Sequence, residues 1–192
     1  MPAVCHIRKL IIFINITFFI TLSNVFAEEG PQLKKSNLIL EIRSGLLSHD
    51  VDNLWSNSRK ERGVDINGEI ILNLLNRGIF NGIIRPNIGL SVNTSGQTSK
   101  LYSGVTWERE LQSHLIINFG IGIAVHNGEL DNIDPNKKAL GSRVLFHIPV
   151  ELGYKLSNPY RIFFFFDHVS NANLSSPNEG MDTLGIRVGY RF

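Results

Sequence analysis

His168 and Ser170 stand two residues apart in a stretch, RIFFFFDHVSN (161–171), that reads as a β-strand. Residues of one parity on a strand share a face, so the two side chains project together, about 7 Å apart by backbone rise. They can lean toward each other. A serine hydroxyl is a poor nucleophile at neutral pH, and an imidazole within hydrogen-bond reach can take its proton. The imidazole in turn needs a third group to fix its tautomer and stabilise its charged form. Three acids come into question: Asp182, Glu179 and Asp167. Asp182 ranks first, because it opens the next alternating segment, the antiparallel neighbour joined by residues 171–181, and shares the even parity of Leu184, Ile186 and Val188. Glu179 lies in the connecting loop and ranks second. Asp167, beside His168, points to the opposite face and ranks third. The chemistry on offer is nucleophilic acyl transfer. A His and a Ser two apart are common, so the pair gains meaning only from where the fold puts it.

From Leu38 onward the chain falls into segments of about ten residues with period-two alternation, the strand signature. Leu38, Leu40, Ile42 and Leu46 oppose Glu41, Arg43 and Gly45; Val64, Ile66, Ile70, Leu72 and Leu74 oppose Asp65, Asn67, Glu69 and Asn73. Further segments run 83–92, 101–108, 114–126, 143–155, 160–170 and 182–192, which makes eight. The polar faces carry Glu41, Arg43, Asp65, Glu69, Arg85, Glu108, Arg143, Glu151, Arg187 and Arg191. Unpaired, such charges cannot enter a dry sandwich core, whereas a closed barrel of eight strands can enclose a network of opposite charges. The other faces, nearly continuous Leu, Ile, Val and Phe, would aggregate in water but suit lipid. Trp107, Tyr154, Tyr160, Tyr190 and Phe192 lie near segment ends, as interfacial girdle residues do. Long links (49–62, 127–139 and 171–181, with 93–99 intermediate) alternate with short ones (77–82, 110–113, 156–159), the pattern of external loops and periplasmic turns. The expected fold is all-β, an eight-stranded antiparallel transmembrane β-barrel of the outer membrane.

Residues 1–27 read as a cleaved signal peptide, with Arg8 and Lys9, an apolar Leu10–Leu22 and a Val25-Phe26-Ala27 cleavage site. The apolar run is shorter than the roughly 20 residues of a membrane helix. Residues 28–192 then form a single barrel domain. Cys5, the sole cysteine, leaves with the signal, which excludes disulfide, thiol and cysteine–metal chemistry. Of 19 basic residues, those after Ala27 number 17, against 17 acidic, so the mature chain is neutral and a nucleic-acid partner is not expected. Residues 55–62 and Lys137-Lys138 place positive charge in external loops, where phosphorylated lipid head groups would be attracted.

Parity assigns the candidate residues a side. His168, Ser170 and Asp182 share the lipid-facing parity at the outer rim, so a site built from them meets only what occupies the outer leaflet. In a Gram-negative outer membrane that is chiefly lipopolysaccharide, whose lipid A carries acyl esters at this depth.

The stretch His168-Val169-Ser170-Asn171-Ala172-Asn173-Leu174, followed by Pro177-Asn178-Glu179-Gly180-Met181-Asp182, resembles the lipid A 3-O-deacylases of the PagL type. The match is specific over residues 166–182 and topological over the rest. The resemblance implies an outer-membrane serine esterase with Ser170 as nucleophile, His168 as base and Asp182 as acid. It further implies Asn178 and the backbone N–H groups near Ala172 and Asn173 as oxyanion donors, no cofactor or metal, lipid A as substrate and a possible homodimer. Two positions depart from the family pattern: Asp182 replaces the usual Glu, and Asn173 the usual Gly. Two rival readings remain, a non-catalytic structural or adhesive barrel and a lipid A acyltransferase with a phospholipid donor.

Overall fold

The computed structural model describes residues 38–56, 58–74 and 77–192. The signal-peptide reading of residues 1–27 lies outside the described residues. Nine strands follow in order: β1 (Ile39–Ser48), β2 (Val64–Leu72), β3 (Arg77–Ile79), β4 (Gly82–Asn93), β5 (Lys100–Glu110), β6 (Leu115–His126), β7 (Val144–Lys155), β8 (Tyr160–Ser170) and β9 (Met181–Arg191). All but β3 have 9 to 12 residues, enough to cross a bilayer when tilted. β3 is a short ribbon on β4. The eight long strands pair antiparallel with their neighbours, β2 pairs β4, and β1 pairs β9, which closes the barrel and leaves no free edge among them.

Alternation decides the two faces. Ile66, Leu90, Leu101, Phe119, Ile121, Ile123, Leu152, Phe164 and Val188 are exposed on the outside. Inside, opposite charges meet. Arg43 bonds Glu41 (2.7 Å), Glu108 (2.9 Å) and Glu151 (2.5 Å), and Arg187 bonds Glu69 (2.7 Å) and Glu151 (2.5 Å). Arg191 and Arg85 complete the tier on Glu108. Such burial is tolerable because every charge named here has an opposite partner at hydrogen-bond distance. Phe163 and Phe165 also face inward, where simple alternation expects polar residues. Each lies under a guanidinium, Arg43 at 4.3 Å and Arg187 at 4.0 Å from the ring centres, so cation–π attraction lets aromatic rings share a charged lumen. Arg143 departs from expectation: it precedes β7 and is exposed, donating to the Gly128 carbonyl at 2.6 Å instead of entering the lumen.

The aromatic residues near strand ends gather at the short-turn end. Tyr160, Tyr190 and Phe192 make edge contacts there, and Trp107 donates its indole N–H to the Ile79 carbonyl. At the opposite, long-loop end the lumen is closed by a buried hydrophobic cluster of Tyr102, Ala124, Leu140, Leu145, Val169 and Met181. Leu140 comes from the loop between β6 and β7, so that loop plugs the barrel mouth. Val169 and Met181 alternate with His168 and Asp182, and their burial inside holds those two residues outside.

Candidate active site

β8 and β9 are in register with His168 opposite Asp182. Both side chains lie on the outer wall. His168 Nδ1 is 2.6 Å from Asp182 Oδ1, and His168 Nε2 is 3.0 Å from Ser170 Oγ. A carboxylate only accepts, so Nδ1 carries the proton and Nε2 is left to accept from the serine hydroxyl. Asp182 Oδ2 is engaged as well: the backbone N–H groups of Trp55 and Ser56 both donate to it at 2.6 Å. With one oxygen on the imidazole and the other on two N–H groups, the carboxyl plane cannot rotate freely. The Trp55 indole stacks on the His168 ring at 4.4 Å and 14°. His168 is thus buried although it faces away from the lumen, while Ser170 keeps partial exposure.

The other candidate acids are committed elsewhere. Glu179 receives Lys60 Nζ at 2.5 Å and the Ala139 N–H at 2.8 Å. Against the upward push of burial, these donors hold its carboxyl below the ordinary range. Asp167 faces the lumen and is bonded by Lys100 (2.8 Å), His147 (3.0 Å) and the Thr183 hydroxyl.

Residues 171–174 form a tight turn closed by Leu174 N–H to the Asn171 carbonyl at 3.0 Å, with Ala172 (φ 53°) and Asn173 (φ 59°) both left-handed. Asparagine tolerates that region better than most side chains, which is why it can stand where glycine is usual. Asn178 spans the turn: its Oδ1 accepts the Asn171 N–H and its Nδ2 donates to Asn173 Oδ1, both at 3.0 Å. A side-chain amide has two N–H donors, so this contact uses one. Asn171 in turn donates to the Leu140 and Pro177 carbonyls, tying the turn to the neighbouring loop. Gly141 (φ 67°) is required at that junction, since a Cβ would sit 1.9 Å from the Pro177 carbonyl oxygen.

A cavity of about 710 Å³ opens beside Ser170, lined by Ile121, Phe146 and Ile148 on the barrel wall and by Ala172, Asn173 and Asn178 on the loop. It is apolar toward the mid-barrel and polar toward the loops, a shape for an amphiphile's chain and head.

Trp55 and Ser56, which no motif or spacing in the sequence marks as site residues, belong to the link between β1 and β2. That link is anchored from within. Glu61 is bonded by His49 and by the Thr98 and Lys138 N–H groups. Burial pushes its carboxyl up, but these donors outweigh it and hold it at about 2. Asp50 accepts the Lys60 and Glu61 N–H groups and faces Lys138 Nζ at 3.4 Å.

Fold and site together define a small membrane-spanning β-barrel with a Ser–His–Asp hydrogen-bond chain on its outer wall. Residues 49–191 match the lipid A 3-O-deacylase (PagL) family, and the chain belongs to that family of outer-membrane ester hydrolases. A crystal structure of the outer membrane enzyme PagL is similar at TM-score 0.57 and 16% identity, covering 79% of this chain and 99% of that one. The N-terminal β-barrel domain of Pseudomonas aeruginosa OprF gives TM-score 0.51 at 11% identity, over 80% and 98%. A designed transmembrane β-barrel gives 0.51 at 10%, over 83% and 100%. At such identities these likenesses speak for the fold alone. No curated protein sequence matches the chain.

Proposed function

We propose that this protein removes the 3-linked hydroxyacyl chain of lipid A through an acyl-serine intermediate, acting from the barrel's outer wall on the outer leaflet. The observation that carries this reading is the continuous chain Asp182–His168–Ser170 opening into an apolar cavity on the lipid-facing side. Ser170 Oγ attacks the ester carbonyl as His168 Nε2 takes its proton. The oxyanion is met by N–H groups of the Ala172–Asn173 turn and by the second amide hydrogen of Asn178. Each such donor is worth about 100-fold to 1000-fold in rate. His168 then gives its proton to the departing sugar oxygen, leaving the acyl group on Ser170. Water attacks that ester with His168 again as base, and the hydroxy fatty acid leaves. Asp182 stays ionised throughout, orienting the imidazole and stabilising its charged form. The long loops are extracellular in this reading.

Lipid A from cells carrying the wild type, Ser170→Ala or His168→Asn tests it by mass spectrometry. Loss of one hydroxyacyl chain with the wild type alone is expected. No change with any form would return the protein to a structural barrel, and a gain in mass would make it an acyltransferase.

A further inference from the structure

Two lipid-facing troughs meet at Trp55. The first is the cavity beside Ser170. The second, of about 650 Å³, lies across the indole, between residues 53–55 and the wall formed by Phe164, Phe166 and Leu184. Trp55 lines both, whereas Ser170 lines only the first. Phe166 shares the face of His168 two residues earlier, and Leu184, its register partner, follows Asp182 by two. The second trough therefore begins about 7 Å below the His–Asp pair, and Trp55, but not Ser170, is among its lining residues.

This arrangement suits a molecule with two acyl chains on adjacent atoms, of which one is to be cut. Resting on the deacylase reading, the scissile chain leaves carbon 3 of a glucosamine and its neighbour is the amide-linked chain on carbon 2. Adjacent equatorial substituents of a sugar ring diverge, so they can straddle a flat side chain. We infer that the second trough receives the amide-linked chain of the same glucosamine, and that Trp55, standing between the two chains, determines which of them reaches Ser170. The occupant belongs to the substrate, not to the surrounding bilayer, because the shared wall is the ring stacked on His168: filling one side sets the position of the other. Arg59, Lys60 and Arg62, on the same loop, line a polar hollow with Asp52, Gln97 and Asn136. That charge suits a sugar carrying phosphate above the two chains.

The test uses the full-length protein folded in detergent and two synthetic glucosamine 1-phosphates. One carries only the 3-O-hydroxyacyl chain, and the other adds the 2-N-linked chain. Burying a few methylenes at about 0.8 kcal/mol each predicts a kcat/KM at least about tenfold higher for the two-chain substrate. Leu184→Trp, which fills the trough, should bring the preference within about twofold. Leu54→Gln, in the loop and outside the barrel wall, should lower it about threefold. Equal kcat/KM on the two substrates with the wild type overturns the inference, as does a wild-type preference retained in both variants; the trough then faces only bilayer lipid. Hydrolysis of neither substrate by the wild type counts instead against the deacylase reading itself.

Discussion

The wall between β7, β8 and β9 carries two histidine–aspartate pairs back to back. Outside, His168 meets Asp182 at 2.6 Å under the ring of Trp55. Inside, one residue earlier on the same strand, Asp167 meets His147 at 3.0 Å, and Tyr102 lies 4.3 Å over that imidazole. The ingredients match: a histidine, a carboxylate and an aromatic cover. The difference is in the third partner. Outside, the hydroxyl binds the histidine, Ser170 Oγ at 3.0 Å from Nε2, and opens on a cavity. Inside, the hydroxyl of Thr183 binds the carboxylate, and Lys100 neutralises that carboxylate at 2.8 Å. A hydroxyl on the imidazole can be deprotonated by it, whereas a hydroxyl on the acid only satisfies a lone pair. The pair alone therefore does not mark chemistry; the atom to which the hydroxyl is attached does.

Exchanging the acids breaks the comparison most sharply. Asp182→Ala removes the group that fixes the His168 tautomer, and deacylation should fall about 1,000-fold to 10,000-fold. A fully active Asp182→Ala protein would show that another acid orients the imidazole. Asp167→Asn should do the reverse. It leaves Lys100 buried without its counter-charge, a loss of about 3–5 kcal/mol, visible as a lower thermal unfolding temperature in detergent. The rate per folded molecule should stay within about threefold, because Asp167 is on the other side of the wall. A catalytic loss in Asp167→Asn as large as in Asp182→Ala would dissolve the distinction between the faces.

A smaller effect sharpens what is peculiar to the outer pair, its dependence on a loop. Ser56→Pro deletes one of two N–H groups on Asp182 Oδ2. A hydrogen bond to a charged group contributes about 1.5–3 kcal/mol, so kcat should drop about tenfold to 100-fold while the barrel unfolds at an unchanged temperature. If kcat holds, Trp55 N–H alone suffices to fix the carboxylate.

Parity is the reason so much of the outer site is legible in the sequence. Eight alternating segments assign His168, Ser170 and Asp182 to one face, and the β8–β9 register brings them within bonding range. What parity cannot show is contact across the closure of the barrel. Trp55 and Ser56 lie over 120 residues before Asp182, and they reach it because β1 pairs with β9 and carries the following loop over the top of that strand. The Val51 N–H to Asp182 carbonyl bond, 2.8 Å, is the first stitch of that path. WSNSRKER reads as a charged loop, and nothing local marks its first residue as the cover of a histidine. Arg143 misleads for the opposite reason: the alternation of the letters continues through a residue where the strand has not yet begun.

The loop's own anchor gives the mildest and most reversible perturbation. Glu61 holds residues 49–63 down through His49, Thr98 and the Lys138 N–H. Its carboxyl titrates at about 2 when the loop is closed, against an ordinary 4.5. A carboxyl depressed in this way favours the closed loop fully above the ordinary value and loses that contribution as pH falls toward the depressed one. The Glu61 contribution to loop closure should therefore be full from pH 7 down to about 4.5 and be lost from there toward 2. Amide hydrogen exchange at residues 55–61, in detergent and across that range, should rise before exchange in β8 and β9 does. Glu61→Gln should show the raised loop exchange already at pH 7. It should also lose a several-fold share of activity there, because Trp55 and Ser56 are released from Asp182. Loop exchange in Glu61→Gln that matches the wild type at pH 7 would mean that Asp50 and its two N–H donors suffice to close the loop, and that the outer site does not draw on the carboxylate beneath it.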